Sequence, residues 1–169
     1  MKRNSLILLA VFALALTFSM PASAADQSAK ISTNCSSIRQ NLKNLQRPDS
    51  RARTYFGAIY ETFSSKYLKP LNLRLVNNDI SSSDLVKLQT AFATARTNFS
   101  EDFIDYSKAL EDLIATDCRL EPEVFYEKLV KTREKRALVA KDIKELNSHL
   151  TGSVKKVEEI GRASCRERV

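Results

Sequence analysis

The sequence predicts an all-α protein, namely an antiparallel bundle of three long helices with coiled-coil-like packing. Residues 34–159 contain only two glycines and three prolines, so few positions would interrupt a helix. Valine, isoleucine and threonine show no sustained alternation of period two, which a half-buried strand would require. Apolar residues instead recur every three or four positions in three long segments, and this spacing places one apolar seam on each helix.

The first helix is predicted from a seam that is interrupted once, at Asp49. Pro48 and Pro70 fall in the same segment. Because a proline inside a helix removes a backbone donor and clashes with the preceding turn, each is expected to kink the first helix or to mark a new start. The apolar members of this seam are Ile38, Leu42, Leu45, Ala52, Phe56, Ile59 and Phe63.

Turn residues separate the three seams. Asn77-Asn78-Asp79 predicts a turn, and the serines at 81–83 offer hydroxyl caps for the second helix. Pro122 predicts the start of the third helix, since proline at the first helical turn costs nothing. The second seam is Leu85, Leu88, Phe92, Ala95, Phe99, Phe103, Tyr106, Leu110 and Leu113. The third, interrupted at Thr132 and Arg136, is Phe125, Leu129, Val139, Ile143, Leu146, Leu150, Val154 and Val157.

The first 24 residues predict a secretory signal peptide. Lys2 and Arg3 precede an apolar run over residues 6–18, and small residues follow, which predicts cleavage before Ala25. The alternative, a retained membrane anchor, needs about 20 apolar residues, and this run is shorter. We therefore expect an exported protein, located in the periplasm, at the cell surface or outside the cell.

The remaining chain is predicted to have three parts. Residues 25–33 are small and polar and predict a short linker, and residues 34–159 form the helical bundle. No stretch after the signal peptide is apolar enough to predict a transmembrane segment. Residues 160–169 are identical to the translation, in one frame, of a common short-read sequencing adapter. We expect them to be a non-native tail, with the natural reading frame continuing past Glu159; the alternative is a natural basic tail.

The charge balance argues against a nucleic-acid partner. The whole chain carries a formal charge of +7. Without the two cations of the signal peptide and the net two of the tail, the charge of residues 25–159 is +3. So small a charge over such a length does not predict specific binding to nucleic acid.

Two cysteines remain when the tail is set aside, Cys35 and Cys118. Cys35 is expected at the beginning of the first helix and Cys118 at the end of the second, and in an up-down hairpin these two ends meet at one pole. Because exported compartments are oxidising, a Cys35–Cys118 disulfide is predicted. The alternatives are two free thiols, which that compartment disfavours, and a redox pair, which the lack of a Cys-x-x-Cys motif argues against.

No catalytic constellation is evident in the sequence. His149, the only histidine, follows Glu145 by one helical turn, but no third metal ligand is evident, so an exposed helix histidine is the expected role. Glu101, Asp102 and Asp105 form an acidic cluster, and general acid–base chemistry would need two carboxylates in different environments within a cleft. The chain has no Gly-rich phosphate loop, no GxSxG and no HExxH. We expect a protein that is not an enzyme and has no cofactor.

Basic stripes on the first and third helices are the candidate contact surfaces. They would suit an acidic polymer of the cell envelope or a phospholipid surface. The alternative is a solvated helix face on which Glu127, Glu134 and Asp142 balance the cations of the third helix. The proposed anion-contact residues are Arg39, Lys43, Arg47, Arg51, Lys128, Lys131, Arg133, Lys135 and Arg136.

Two segments carry a resemblance to a known group of proteins. Pro70-Leu71-Asn72-Leu73-Arg74-Leu75, and the stretch from Asp117-Cys118 to Phe125-Tyr126, resemble uncharacterised exported helical proteins of reduced-genome bacteria. The resemblance covers most of residues 35–150 and implies no particular activity. In composition the chain also resembles the small basic periplasmic chaperones that hold unfolded outer-membrane proteins between helical arms.

These observations together predict a secreted, non-enzymatic helical-bundle protein that binds a protein or an anionic envelope polymer. A periplasmic holdase-type chaperone is the alternative. The two hypotheses differ in the exposure of apolar side chains. A holdase should present a cleft lined by unpaired aromatic residues, whereas a simple bundle should bury them.

Overall fold

The computed structural model describes residues 24–80 and 83–166, and its regular structure is entirely helical. No strand occurs among the described residues, so the predicted all-α bundle is confirmed. The first of the three long rods combines two helices and the π-helical stretch between them. In chain order the elements are helix α1 (Ala24–Thr62), a π-helical stretch (Phe63–Leu68), α2 (Lys69–Asn77), α3 (Ser83–Ala115) and α4 (Pro122–Arg166).

Helices α3 and α4 pack along most of their length as an antiparallel pair, and α1 lies on this pair parallel to α4. The alignment follows from two contacts, since Asp49 meets Arg136 and Tyr60 meets Asn147 further along both helices. Tyr60 is fully buried, and the predicted seam of α3 faces it. The buried members of that seam are Leu85, Phe92, Ala95, Phe99, Phe103, Tyr106, Leu110 and Leu113.

The segment predicted as a linker, residues 25–33, is helical instead. Helix α1 begins at Ala24, and Ile31 is buried against Cys35, Leu113 and Phe125. The apolar seam of α1 therefore starts at Ile31 and continues through Cys35 to Ile38. A buried cysteine packs as a small apolar residue, and only when Cys35 is counted in this way does the helical period extend back into the polar segment.

The two ends of the chain fall partly outside the described residues. The predicted signal peptide, residues 1–24, lies outside them except for Ala24. Residues 160–166 continue α4 as helix, and residues 167–169 lie outside the described part. Within the described ranges, no helix contains a stretch that is both long enough and apolar enough to cross a membrane.

The two prolines of the first rod have different effects. Helix α1 continues through Pro48, whereas the rod changes geometry just before Pro70. In a regular α-helix Pro70 could not donate to the carbonyl of Lys66, and its ring would clash with that carbonyl. The wider π-helical turn, in which the N–H of Lys69 donates to the carbonyl of Ser64, takes the chain past this position. Pro70 then lies in the first turn of α2.

The predicted turn after the first rod is present. Helix α2 ends at Asn77, and the side-chain amide of Asn78 donates to the carbonyl of Arg74 at 2.7 Å. Asp79 adopts a left-handed backbone conformation with φ of 57°, which stops the helix. The predicted capping residues 81 and 82 lie outside the described residues.

Cys35 and Cys118 form the disulfide that the topology predicts, with a Cα–Cα distance of 5.5 Å. Both cysteines are buried together with Ile31, Leu113 and Phe125. The bond joins α1 to the turn between α3 and α4, and it closes one end of the bundle, which we call the closed pole. The opposite end, where α2 turns into α3, is the open pole.

We predict that replacing both cysteines, as C35S/C118S, lowers the free energy of unfolding. The bond closes a loop of 83 positions, and the chain-entropy model gives a loss of about 4.5 kcal/mol for a loop of this length. Urea denaturation followed by circular dichroism measures the loss. Reduced wild-type protein should unfold at the same urea concentration as the double variant. Equal midpoints for oxidised and reduced wild type would contradict the prediction.

Candidate functional site

The basic stripe predicted on α4 is largely occupied by ion pairs within the bundle. Lys128 lies 3.1 Å from a carboxylate oxygen of Asp112, and Lys135 lies 2.9 Å from one of Asp105. The hydrogen bond from Lys135 lowers the pKa of Asp105. The compensating carboxylates are therefore on α3. The alternative, in which Glu127, Glu134 and Asp142 balance the α4 cations, does not describe Lys128 and Lys135, because their ion-pair partners lie on the neighbouring helix.

Arg136, also predicted for the stripe, belongs to a contact that joins all three rods. Its guanidinium Nε and Nη2 donate to the two carboxylate oxygens of Asp49 at 3.1 and 3.2 Å. The hydroxyl of Tyr106 donates to the same carboxylate at 2.5 Å. Burial, followed by the hydrogen bond to Asp49, raises the pKa of Tyr106. Lys131 and Arg133 are left as the exposed cations of the stripe that have no ion pair among the described residues.

The basic stripe predicted on α1 has a different environment. Within the described ranges Lys43, Arg47 and Arg51 form no ion pair, and all three side chains are exposed. Arg39 is half-buried near the closed pole, and its Nε has no hydrogen-bond partner there. The structure thus separates the nine predicted anion-contact residues into three that form ion pairs between helices, five that are exposed and unpaired among the described residues, and the half-buried Arg39.

The outward cations of α1 belong to a longer row of side chains, the basic–aromatic ridge, in which every fourth residue contributes. A row of this spacing rises about 6 Å per step and winds slowly around the helix. It includes two exposed tyrosine rings, Tyr55 in the middle of the row at 64% exposure and Tyr67 at its end at 62% exposure. The members of the basic–aromatic ridge are Lys43, Arg47, Arg51, Tyr55, Ile59, Phe63 and Tyr67.

The basic–aromatic ridge lies mainly on the outer face of the first rod, with Ile114 of α3 and Leu150 of α4 at its border. Of the fourteen residues around it, ten come from α1 and two from the π-helical stretch. The half nearer the closed pole, residues 43–51, is cationic, and the half nearer the open pole, residues 55–67, is aromatic and aliphatic. Such a surface can hold an elongated anionic partner by charge and pack against it with rings.

A true interhelical opening lies at the open pole, and we call it the open-pole cleft. It has a volume of about 360 Å³. One wall comes from the π-helical stretch and α2, and the other from the last part of α4. No pattern in the sequence predicts this cleft, because it depends on the π-helical turn. The lining residues are Phe63, Lys66, Tyr67, Pro70, Leu71, Arg74, Ser153, Val154 and Val157.

The acidic cluster predicted on α3 is divided by the fold. Asp105 pairs with Lys135, whereas Asp102 faces Asp142 of α4, which is only 7% exposed. Burial raises the pKa of Asp142 to about 6, and the adjacent Asp102 adds to the shift. One oxygen of Asp142 has no hydrogen-bond partner. Neither carboxylate lines the open-pole cleft or the ridge. The pair bears on stability, because burial disfavours the ionised form of Asp142.

His149 lies beside Glu145, with 3.8 Å between its Nε2 and a carboxylate oxygen. Among the described residues no group of three histidine, cysteine or acidic side chains could hold a metal ion.

Comparison with protein-family models, curated proteins and solved structures finds no match for this chain.

We predict that Asp142→Asn stabilises the protein at pH 7.5 by about 1–3 kcal/mol, since a pKa difference of about two units corresponds to that range. Below pH 3.8 the carboxyl is neutral in both states. As pH rises from there through about 6, the unfolded chain releases the proton first, so the wild-type protein loses stability that the variant keeps.

Urea denaturation of the two proteins between pH 4 and pH 8 measures this difference. The exposed Glu101 of α3 supplies the matched control, because Glu101→Gln removes a carboxylate that remains in water. This control should leave the pH dependence unchanged. An Asp142→Asn variant that is less stable than wild type at pH 7.5 would show that the ionised carboxylate is stabilising.

Proposed function

We propose that the protein is an exported, non-enzymatic binding protein that holds an anionic protein segment or envelope polymer on the basic–aromatic ridge. The observation that carries the proposal is the contrast between the two basic stripes. Three of the five predicted α4 cations pair with carboxylates of α1 and α3. In contrast, Lys43, Arg47 and Arg51 form a continuous row on α1 with no ion pair in the described part of the chain.

A row of unpaired cations attracts a polyanion mainly by releasing its bound counterions, so affinity falls as salt rises. The rings of Tyr55 and Tyr67 extend the same row and can pack against the apolar parts of a partner. The modest charge of residues 25–159 favours local recognition by this row over general attraction to nucleic acid.

Two observations support an extracytoplasmic location. The sequence of residues 1–24 predicts a signal peptide, and the Cys35–Cys118 disulfide is the kind of bond that persists in an oxidising compartment. The disulfide fixes α1 at the closed pole, where the basic half of the ridge begins. Export would therefore also preserve the geometry of the proposed binding surface.

We predict that R47E/R51E weakens binding to polyglutamate at least about tenfold, because charge reversal replaces attraction with repulsion. The matched control K87E/K144E makes the same change in net charge with exposed lysines of α3 and α4. It should retain most of the affinity. Titration of a fluorescently labelled polyanion at 50–200 mM salt gives both the affinity and its salt dependence.

The salt dependence shows whether the cations of the basic–aromatic ridge contact the polyanion together. The slope of log affinity against log salt should be shallower for R47E/R51E than for wild type, because fewer counterions are released. Equal loss of affinity in the two double variants would assign binding to net charge alone. A flat salt response, or no binding at 50 mM salt, would contradict the proposal.

A holdase-type chaperone is the second candidate, and the exposed rings of Tyr55 and Tyr67 favour it. The burial of Phe92, Phe99 and Phe103 weighs against it, since the largest aromatic surface of the chain is inside the core. For a holdase, equimolar protein should suppress aggregation of a reduced client, and Y55S/Y67S should suppress it less. Tyr126→Ser, which changes a tyrosine near the closed pole, is the control. No suppression by wild type would remove this candidate.

A further inference from the structure

We propose that the open-pole cleft binds a single-chain anionic amphiphile of the fatty-acid type, with its alkyl chain between α2 and α4 and its anionic group at Lys66 and Arg74. This site is separate from the cationic half of the basic–aromatic ridge. It does not depend on the proposed function, because it uses none of Lys43, Arg47 and Arg51.

The opening exists because the part of the first rod nearer the open pole forms its polar contacts with α3 and not with α4. Further toward the closed pole, Asp49 and Tyr60 bond to Arg136 and Asn147 of α4. Nearer the open pole, the polar side chains of the first rod contact α3 instead of α4. Glu61 pairs with Arg96 of α3, and Asn72 bonds to Gln89 of α3.

The backbone shows the same separation. In the described ranges, no Cα atom of the π-helical stretch or of α2 lies within 8 Å of a Cα atom of α4. Helices α3 and α4, by contrast, stay in contact. The π-helical turn redirects the rod at the point where the separation begins, and turns of this kind often occur at functional sites.

The walls of the cleft are mainly apolar. Phe63, Tyr67, Pro70 and Leu71 face α4 across the opening, while Ser153 is buried and donates its hydroxyl to the carbonyl of His149. On the α4 side Val154 is 63% exposed and Val157 is 41% exposed. Exposed apolar side chains facing one another across an opening indicate that an apolar group belongs between them.

The polar residues at the rim give the charge of the ligand. Lys66 and Arg74 line the cleft, and neither forms an ion pair with any described residue. Among the residues that the structure describes, no acidic side chain lines the cleft. A ligand that neutralises these cations while filling the apolar space must have an anionic end and an alkyl body.

The size of the cleft limits the alkyl part to one chain. Its volume of about 360 Å³ lies near the lower end of small-ligand sites, which begin at about 300 Å³. A single chain fits this space, whereas a two-chain lipid would leave one chain outside. The proposed ligand is therefore a free single-chain molecule rather than a phospholipid in a membrane.

The test is displacement of a fluorescent fatty acid from the purified protein by saturated fatty acids of eight to sixteen carbons, each below its micelle concentration. Affinity should rise about fourfold per added methylene and then stop rising when the cleft is full. The fatty alcohol of equal length should bind more weakly. An affinity that rises without a plateau, or no displacement by any monomeric acid, would overturn the proposal.

Variants locate the binding site. Val154→Asp places a charge on the α4 wall and should weaken binding at least tenfold, whereas Val124→Asp, an exposed valine of α4 near the closed pole, should not. K66Q/R74Q should bind the acid no better than the alcohol, while K87Q/K144Q should keep the preference. Circular dichroism checks that each variant is folded. Equal losses in the cleft and control variants would refute the site.

Two further arms separate this proposal from its alternatives. R47E/R51E should bind the fatty acid as wild type does, so failure of the ridge proposal and failure of the cleft proposal give different results. Vesicles of phosphatidylglycerol and of phosphatidylcholine test for a membrane surface as the target. Binding to anionic vesicles without any binding of monomeric acid would contradict the cleft assignment.

Discussion

The disulfide between Cys35 and Cys118 determines where α1 lies, and the rest of the surface depends on that position. Helices α3 and α4 pack against each other along most of their length, whereas α1 rests on the pair with less shared surface. Its direction is fixed by three contacts in succession: the disulfide, the bond of Asp49 to Arg136, and the bond of Tyr60 to Asn147. Because these contacts occupy one face of α1, the opposite face must point away from the bundle.

This arrangement explains why cations of similar spacing have different roles on two helices. Lys128 and Lys135 of α4 lie beside α3, where carboxylates can reach them. Lys43, Arg47 and Arg51 lie on the face of α1 turned away from both neighbours, where no described side chain reaches them. Exposed ion pairs contribute little to the free energy of unfolding, so the α4 pairs add little to the stability of the bundle. Their consequence is that the predicted stripe of α1 carries a longer run of unpaired exposed cations than that of α4, which keeps only Lys131 and Arg133 unpaired among the described residues.

The predicted seam of α3 is largely buried, whereas the seams of the other two rods are shifted: Tyr60 is buried in α1, and Val154 of α4 is 63% exposed. Periodicity was sufficient to predict the seam of α3, the antiparallel order of the helices and the disulfide, since each depends on spacing along one helix and on the positions of the turns. It was not sufficient for polar contacts between helices, because these depend on register. The signal for one of them was present: Asp49 and Arg136 both interrupt apolar seams, and the structure pairs them. Asp142 does not interrupt a predicted seam, and its burial depends on how α4 is oriented about its own axis in the bundle. The open-pole cleft could not be predicted, since Pro70 indicates an interruption but not its π-helical form.

The two poles of the bundle also differ in how their helices are held together. At the closed pole a covalent bond and the buried residues Ile31, Leu113 and Phe125 hold the three rods together. At the open pole α2 is joined to α3 by the bond of Asn72 to Gln89, and apolar side chains remain exposed. Local stability varies along a fold, and regions with few buried contacts open most easily. Because the disulfide lowers the entropy of the whole unfolded chain, the fold retains stability that an unfilled cleft would otherwise remove. The covalent bond at one end is thus compatible with the proposed binding cleft at the other.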